Sequence, residues 1–144
     1  MSVQLVDDVS ARRRWPVGRL VCGDNTSALA FVDVAAHAFV SSAAMYDASG
    51  APLDLFADAV STLVAKMSPM FDEYVAMIAA GNYESSSLRL ASGAQNLQAI
   101  TEFGQASGVD TDLFESALRT LNASAEAGHG TNLAAVFEAV KRQR

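Results

Sequence analysis

The sequence predicts an all-α domain, a bundle of about six helices led by one long helix. Three observations carry this. Apolar residues make up 51% of the 144 residues, many of them Ala, and only three prolines interrupt them; Ala-rich, Pro-poor chains favour helix. The apolar residues recur at helical rather than alternating spacing, with no strand pattern and no internal repeat. Gly50, Gly81, Gly108 and Gly128 each close such a segment, where a residue without Cβ takes the left-handed cap conformation.

The elements follow in order. Residues 1–23 read as an N-terminal arm, with Val17 to Cys22 a short extended piece and Arg12-Arg13-Arg14 a solvated charge run. Residues 24–144 form the helical domain. Its long helix begins between Asp24 and Ser27 and runs to about Ala48, before Ser49-Gly50. Pro52 fits the first turn of the next helix, Leu53 to about Met67. Ser68-Pro69 predicts a break, because proline disfavours a helical residue before it. A helix from Met70 to Ala80 follows. The serines before Leu88 are candidate caps for a helix from about Ser87 to Ala106. Thr111 or Asp112 caps the next helix, which ends at Ala127, and Asp112 with Glu115 has capping-box spacing. Thr131 opens the last helix, Asn132 to Arg142, whose final turn is basic.

Composition excludes several function classes. A net charge of −6 argues against nucleic-acid binding, which needs a clustered positive surface. Cys22 is the single cysteine, so no disulfide framework forms within one chain. His37 and His129 are the only histidines, so neither a Cys-based nor a His-rich metal site is expected. His129, within Gly128-His129-Gly130, reads as part of a turn. Met1 to Asp8, with two acids and no long apolar core, do not read as a signal peptide. Asp33 and His37 interrupt the apolar run from Ser27 to Ala44, which argues against a membrane span. A cytoplasmic setting is expected. There is no G-x-G-x-x-G between a strand and a helix, and no P-loop.

The long helix holds the candidate chemistry. At about 100° per residue, Thr26, Asp33, His37 and Ser41 fall within roughly 80° of arc, among Leu29, Phe31, Val32, Val34, Phe39 and Val40. Asp33 and His37 are i,i+4 neighbours. A carboxylate beside an imidazole raises its pKa and orients it, which is how a general acid or base is built. The plainer alternative is a solvated polar stripe with one stabilising pair, and both stand. A narrow stripe on an apolar helix predicts burial on most sides, with one face lining a cavity. Arg89 offers a fork of donors to a carboxylate or phosphate. Ser92, Gln95, Asn96, Tyr46 and Tyr74 are further polar candidates. Met45, Met67, Met70 and Met77 read as packing residues able to line an adaptable apolar pocket.

Several short stretches carry a resemblance: Gly108-Val109-Asp110-Thr111-Asp112-Leu113, Ala117-Leu118-Arg119-Thr120-Leu121, Ala127-Gly128-His129-Gly130 and Ala134-Ala135-Val136-Phe137-Glu138. Together they resemble the C-terminal helical domain of imine reductases and reductive aminases, within the β-hydroxyacid dehydrogenase superfamily. The likeness covers roughly residues 24–141. It implies an intertwined, domain-swapped homodimer, with each active site between one subunit's nucleotide-binding domain and its partner's helical domain. It puts Asn25, or Asp24 if the register slips by one, at the family's catalytic acid. It puts Asp33 where an aromatic residue often faces the substrate, and Arg89, Ser92, Gln95 and Asn96 where the site is reached across the dimer.

No nucleotide-binding domain is legible ahead of Asp24, so a self-sufficient NAD(P)H oxidoreductase is not expected. The leading expectation is a cofactor-independent enzyme or binder for a small, largely apolar biosynthetic intermediate. It would carry out a step of the cyclase or isomerase type. Asp33, His37 and Asn25 would be catalytic; Phe31, Ser41, Tyr46, Arg89 and Ser92 would bind substrate; no cofactor or metal is expected. The alternative is a non-catalytic ligand-binding or partner subunit that completes a split NADPH-dependent imine reductase with a separate nucleotide-binding chain. A structural remnant without a ligand is the third reading.

Overall fold

The computed structural model describes residues 23–141. It is all-α: α1 is Gly23–Ala48, α2 Leu53–Val64, α3 Met67–Ala80, α4 Leu90–Ala106 and α5 Asp112–Ala127. A 3-10 turn at Leu133–Ala135 then leads into α6, Val136–Val140. The described residues contain no strand, only an antiparallel bridge between Arg89 and Asn132. The arm, Cys22 and the Arg12–Arg14 run lie outside the described residues. The chain divides into two units, residues 1–40 and residues 41–144, with the division inside α1.

In the first unit, every residue from Ser27 to His37 is exposed. Leu29, Val32, Val34 and Val40 are 56–64% exposed, Phe31 54% and Phe39 43%. Apolar residues surround this helix instead of forming one stripe, the pattern of a helix covered on most sides. Ser27–Ala48 is also long and apolar enough to cross a membrane by length and composition, with a mean hydropathy of 1.6.

The second unit is the bundle. α5 packs against α4 and α6, while α3 and α4 both meet the 3-10 turn. Met45, Phe56, Leu90, Phe114 and Leu121 are buried, and Tyr46 lies 5.4 Å from the Phe56 ring. Gly104 permits a close approach: a Cβ there would sit 2.6 Å from Thr111 Cγ2 and 2.7 Å from Met45 Cε. On α2, Leu53, Phe56, Val60, Leu63 and Val64 share about 100° of arc. Only Phe56 of these is buried; Leu53, Leu63 and Val64 are 49–62% exposed.

The four glycine stops hold, with φ of +76°, +62°, +71° and +69° at Gly50, Gly81, Gly108 and Gly128. Other boundaries differ, for local reasons. The break before α3 falls at Ala65-Lys66, and Ser68-Pro69 sits inside the first turn of α3. Proline is tolerated there because its missing N–H has no intrahelical acceptor. The helix predicted from Ser87 begins at Leu90, and the serines are used elsewhere. Ser87 Oγ donates to Glu73 Oε1 at 2.6 Å and Ser85 Oγ to the same atom at 3.3 Å. The Asp112–Glu115 box does not form. Glu115 instead accepts from Thr111 Oγ1 at 2.8 Å and Gln105 Nε2 at 2.9 Å, and the Asp112 N–H donates to Asp110 Oδ1. Those bonds, Thr111 first, hold the Glu115 carboxyl below its usual range. The last helix starts as a 3-10 turn and stops at Val140.

Candidate functional site

Three places in the fold could act on a ligand or partner. The first is the stripe on α1. Asp33 and His37 lie one turn apart on its surface and both are exposed. Neither takes part in the one ion pair among the described residues, Lys141 with Glu138. Phe31 shares this half of the helix. Asn25 falls in the first turn of α1. Ser41 and Tyr46 belong to the bundle unit, and both are half-buried.

The second is the junction that presents Arg89. Residues 83–90 and 131–133 run side by side. The Thr131 and Asn132 N–H groups donate to Tyr83 O, the Leu133 N–H to Leu88 O at 2.9 Å, and the Leu90 N–H to Thr131 O at 2.8 Å. Asn132 is fully buried and closes the seam: its Nδ2 donates to Ser87 O at 2.7 Å and its Oδ1 accepts from the Ala134 N–H at 2.8 Å. These bonds hold Leu88 at φ +40°, the one non-glycine residue with positive φ among those described. Such a backbone persists only where its surroundings over-determine it. Tyr83, 3% exposed, donates to Glu138 Oε1 at 2.7 Å. Burial, then Glu138, push the Tyr83 phenol up; the Tyr83 bond, then Lys141, hold the Glu138 carboxyl down. Arg89 itself is exposed, beside a cavity of about 160 Å³ lined by Leu90, Ala91, Ala125, Gly130 and Thr131. Ser92, Gln95 and Asn96 follow along exposed positions of α4.

The third is an open groove of about 450 Å³ between α4 and α5, with Ala94, Ala99 and Leu118 among Gln95, Gln98, Glu102 and Asn122. Neither cavity includes Asp33 or His37.

The described residues do not fit a nicotinamide dinucleotide. They offer no strand and no Gly-rich strand-to-helix turn, the arrangement that cradles a pyrophosphate.

Residues 25–142 match the family described as the C-terminal domain of NADPH-dependent reductive aminase-like proteins. The chain belongs to this family. The reductive aminase-like domain is similar in structure to an imine reductase from Streptomyces aurantiacus, with a TM-score of 0.74 and 26% identity over 81% of this chain and 41% of that one. The imine reductase from Bacillus cereus BAG3X2 gives a TM-score of 0.76 at 18% identity, over 83% and 42% of the two chains. That from Pseudomonas sp. gives 0.75 at 16%, over 81% and 41%. The two lower identities show the shared fold. The chain thus spans about two-fifths of each solved relative. A comparison with curated proteins finds no match.

Sequence reasoning missed the junction. Gly128-His129-Gly130 reads as a simple turn, but a Cβ on Gly130 would lie 2.6 Å from Tyr83 Cβ and 3.0 Å from Tyr83 O. The available signal was Asn132, a favoured N-cap residue ahead of Leu133-Ala134-Ala135.

Proposed function

We propose that this domain is the substrate-side, dimer-forming half of an imine-reductase-type assembly. The nucleotide-binding domain that holds NADPH lies outside these 144 residues. The observation that carries the reading is the family match over residues 25–142, which includes all but the first two residues of α1. The exposed apolar surface of α1 supports it. Six large apolar side chains between Leu29 and Val40 are 43–64% exposed, roughly 500 Å² from one copy. Two copies supply about 1,000 Å², where specific interfaces begin. The segment 27–40 is about 21 Å long and α2 about 18 Å, so α1 of one copy matches in length the exposed Leu53, Leu63 and Val64 on α2 of another. Repeating that contact by twofold symmetry closes a dimer. In it, Phe31, Ser41 and Tyr46 supply the apolar and hydroxyl wall of the substrate cleft, and Arg89 with Ser92 its cationic edge.

A second reading rests on one observation, the i,i+4 spacing of Asp33 and His37 on an otherwise apolar helix. Enclosed by a partner copy, the carboxylate would orient the imidazole as a general base for a cofactor-free cyclisation or isomerisation. Asn25 would then contribute hydrogen bonds and not a proton.

The test mixes the full chain with NADPH, a cyclic imine and a separately expressed nucleotide-binding domain of an imine reductase. Loss of NADPH absorbance only on mixing supports the split assembly. Turnover without NADPH that disappears in Asp33→Asn and His37→Ala supports the second reading. Capture of the chain by lipid vesicles in place of dimer formation overturns both.

A further inference from the structure

Leu88 keeps its left-handed φ of +40° although its side chain is 46% exposed. Burial of the leucine does not explain a backbone held that way, and strain of this kind gathers at functional positions. What the conformation does is aim the next residue. Arg89 follows with extended backbone, φ −62° and ψ 133°, and its guanidinium joins no ion pair among the described residues.

The guanidinium edges the cavity of about 160 Å³. Leu90, Ala91 and Ala125 make most of its wall apolar, and Gly130 and Thr131 complete it. The Thr131 hydroxyl is already given to Glu84 Oε2, at 2.9 Å, and Glu84 itself does not line the cavity. Arg89 is therefore the only charged group on the wall and its one free side-chain donor. We propose that Arg89 and this cavity form a subsite for the carboxylate of a small organic acid. The inference rests on the reading of Arg89 as the cationic edge of the substrate cleft, and it names the substrate class: an imine that carries a carboxylate.

The match is chemical. A guanidinium presents a planar fork to the two oxygens of a carboxylate, and the apolar wall takes the carbon chain beside it. Inorganic phosphate has no such chain and would leave that wall unused. Size limits the occupant further. Drug-sized ligands need about 300 Å³ or more, so this cavity holds the acid end of a molecule whose remainder lies beyond it.

Titration of the ¹⁵N-labelled full chain with propionate, propionamide and inorganic phosphate, followed by NMR at constant ionic strength, tests this. Propionate is expected to shift the amides of Arg89, Ala91, Gly130 and Thr131 saturably, and to bind at least about tenfold more tightly than propionamide. Arg89→Gln should remove that preference. Ala125→Leu fills the apolar wall and keeps the guanidinium, and should weaken propionate by about threefold or more. Equal binding of propionate and propionamide, a preference kept in Arg89→Gln, or no saturable shift overturns the subsite. Phosphate bound as tightly as propionate overturns its assignment to a carboxylate. The assembly reading fails separately. NADPH consumption with a neutral cyclic imine on mixing, without propionate binding, keeps the assembly and sinks the subsite; propionate binding without NADPH consumption does the reverse.

Discussion

The junction around Asn132 and the first half of α1 solve opposite problems. At the junction, a fully buried amide has both ends hydrogen-bonded, and four backbone bonds tie residues 83–90 to 131–133. Its polar groups are satisfied inside one chain, so it needs no partner. The α1 segment offers almost nothing but apolar surface, and Ser27 to His37 are all exposed. Its backbone is satisfied by the helix while much of its side-chain surface is exposed. The difference separates what holds the domain together from what the domain presents to others. Substitutions at the first should cost stability, and substitutions at the second should cost assembly.

The largest expected effect is at the junction. Asn132→Ala removes two hydrogen bonds and leaves Ser87 O and the Ala134 N–H unpaired in a buried site. A loss of about 3 kcal/mol follows from the cost of orphaned buried groups, measurable by urea denaturation. An effect below about 1 kcal/mol would mean that water reaches the seam. Gly130→Ala comes next, at about 2 kcal/mol, because the new methyl group must displace Tyr83. Its partner is a Cβ and a backbone carbonyl, neither of which can swing away as a long side chain would.

At α1 the order inverts. Leu29→Lys and Val34→Lys place a charge where the single chain is already exposed, so each should change the unfolding free energy by less than about 0.5 kcal/mol. The same variants should raise the dimer Kd by about a hundredfold or more, since a desolvated lone charge is costly. Sedimentation and denaturation on one preparation read both numbers. A large stability loss with unchanged mass would place α1 in the fold of the single chain and erase the contrast.

The two regions were not equally legible. Helix number, order and glycine stops could be read because each depends on a few neighbouring residues. The polar stripe on α1 could be read for the same reason, since Asp33 and His37 are one turn apart in any helix. The junction could not. Tyr83 and Asn132 are far apart in sequence, and nothing local says that Gly130 faces a tyrosine backbone. The serines at 85 and 87 mislead for the same reason. Their hydroxyls are good caps in isolation, but Glu73 on α3 takes them. Pro69 misleads in a different way, since proline disfavours a helical residue before it, yet Ser68 stands in the first turn of α3.

The smallest effect sharpens the junction side through pH. Tyr83→Phe removes one hydroxyl and its bond to Glu138, and should lower Tm by only a few degrees near neutrality. The Glu138 carboxyl is held below its usual range, first by Tyr83 and then by Lys141. A group whose pKa is depressed on folding contributes stability above its unfolded value, about 4.3 for a glutamate. That contribution is lost as pH falls through the folded value. Removing the hydroxyl should therefore matter most near pH 7, and the gap in Tm between variant and wild type should narrow on acidification. The phenol stays neutral throughout, because burial and the neighbouring carboxylate push its own ionisation up. A gap of equal size in acid and at neutrality would mean that Tyr83 contributes by filling space, and that its hydrogen bond to the charged carboxylate adds nothing measurable.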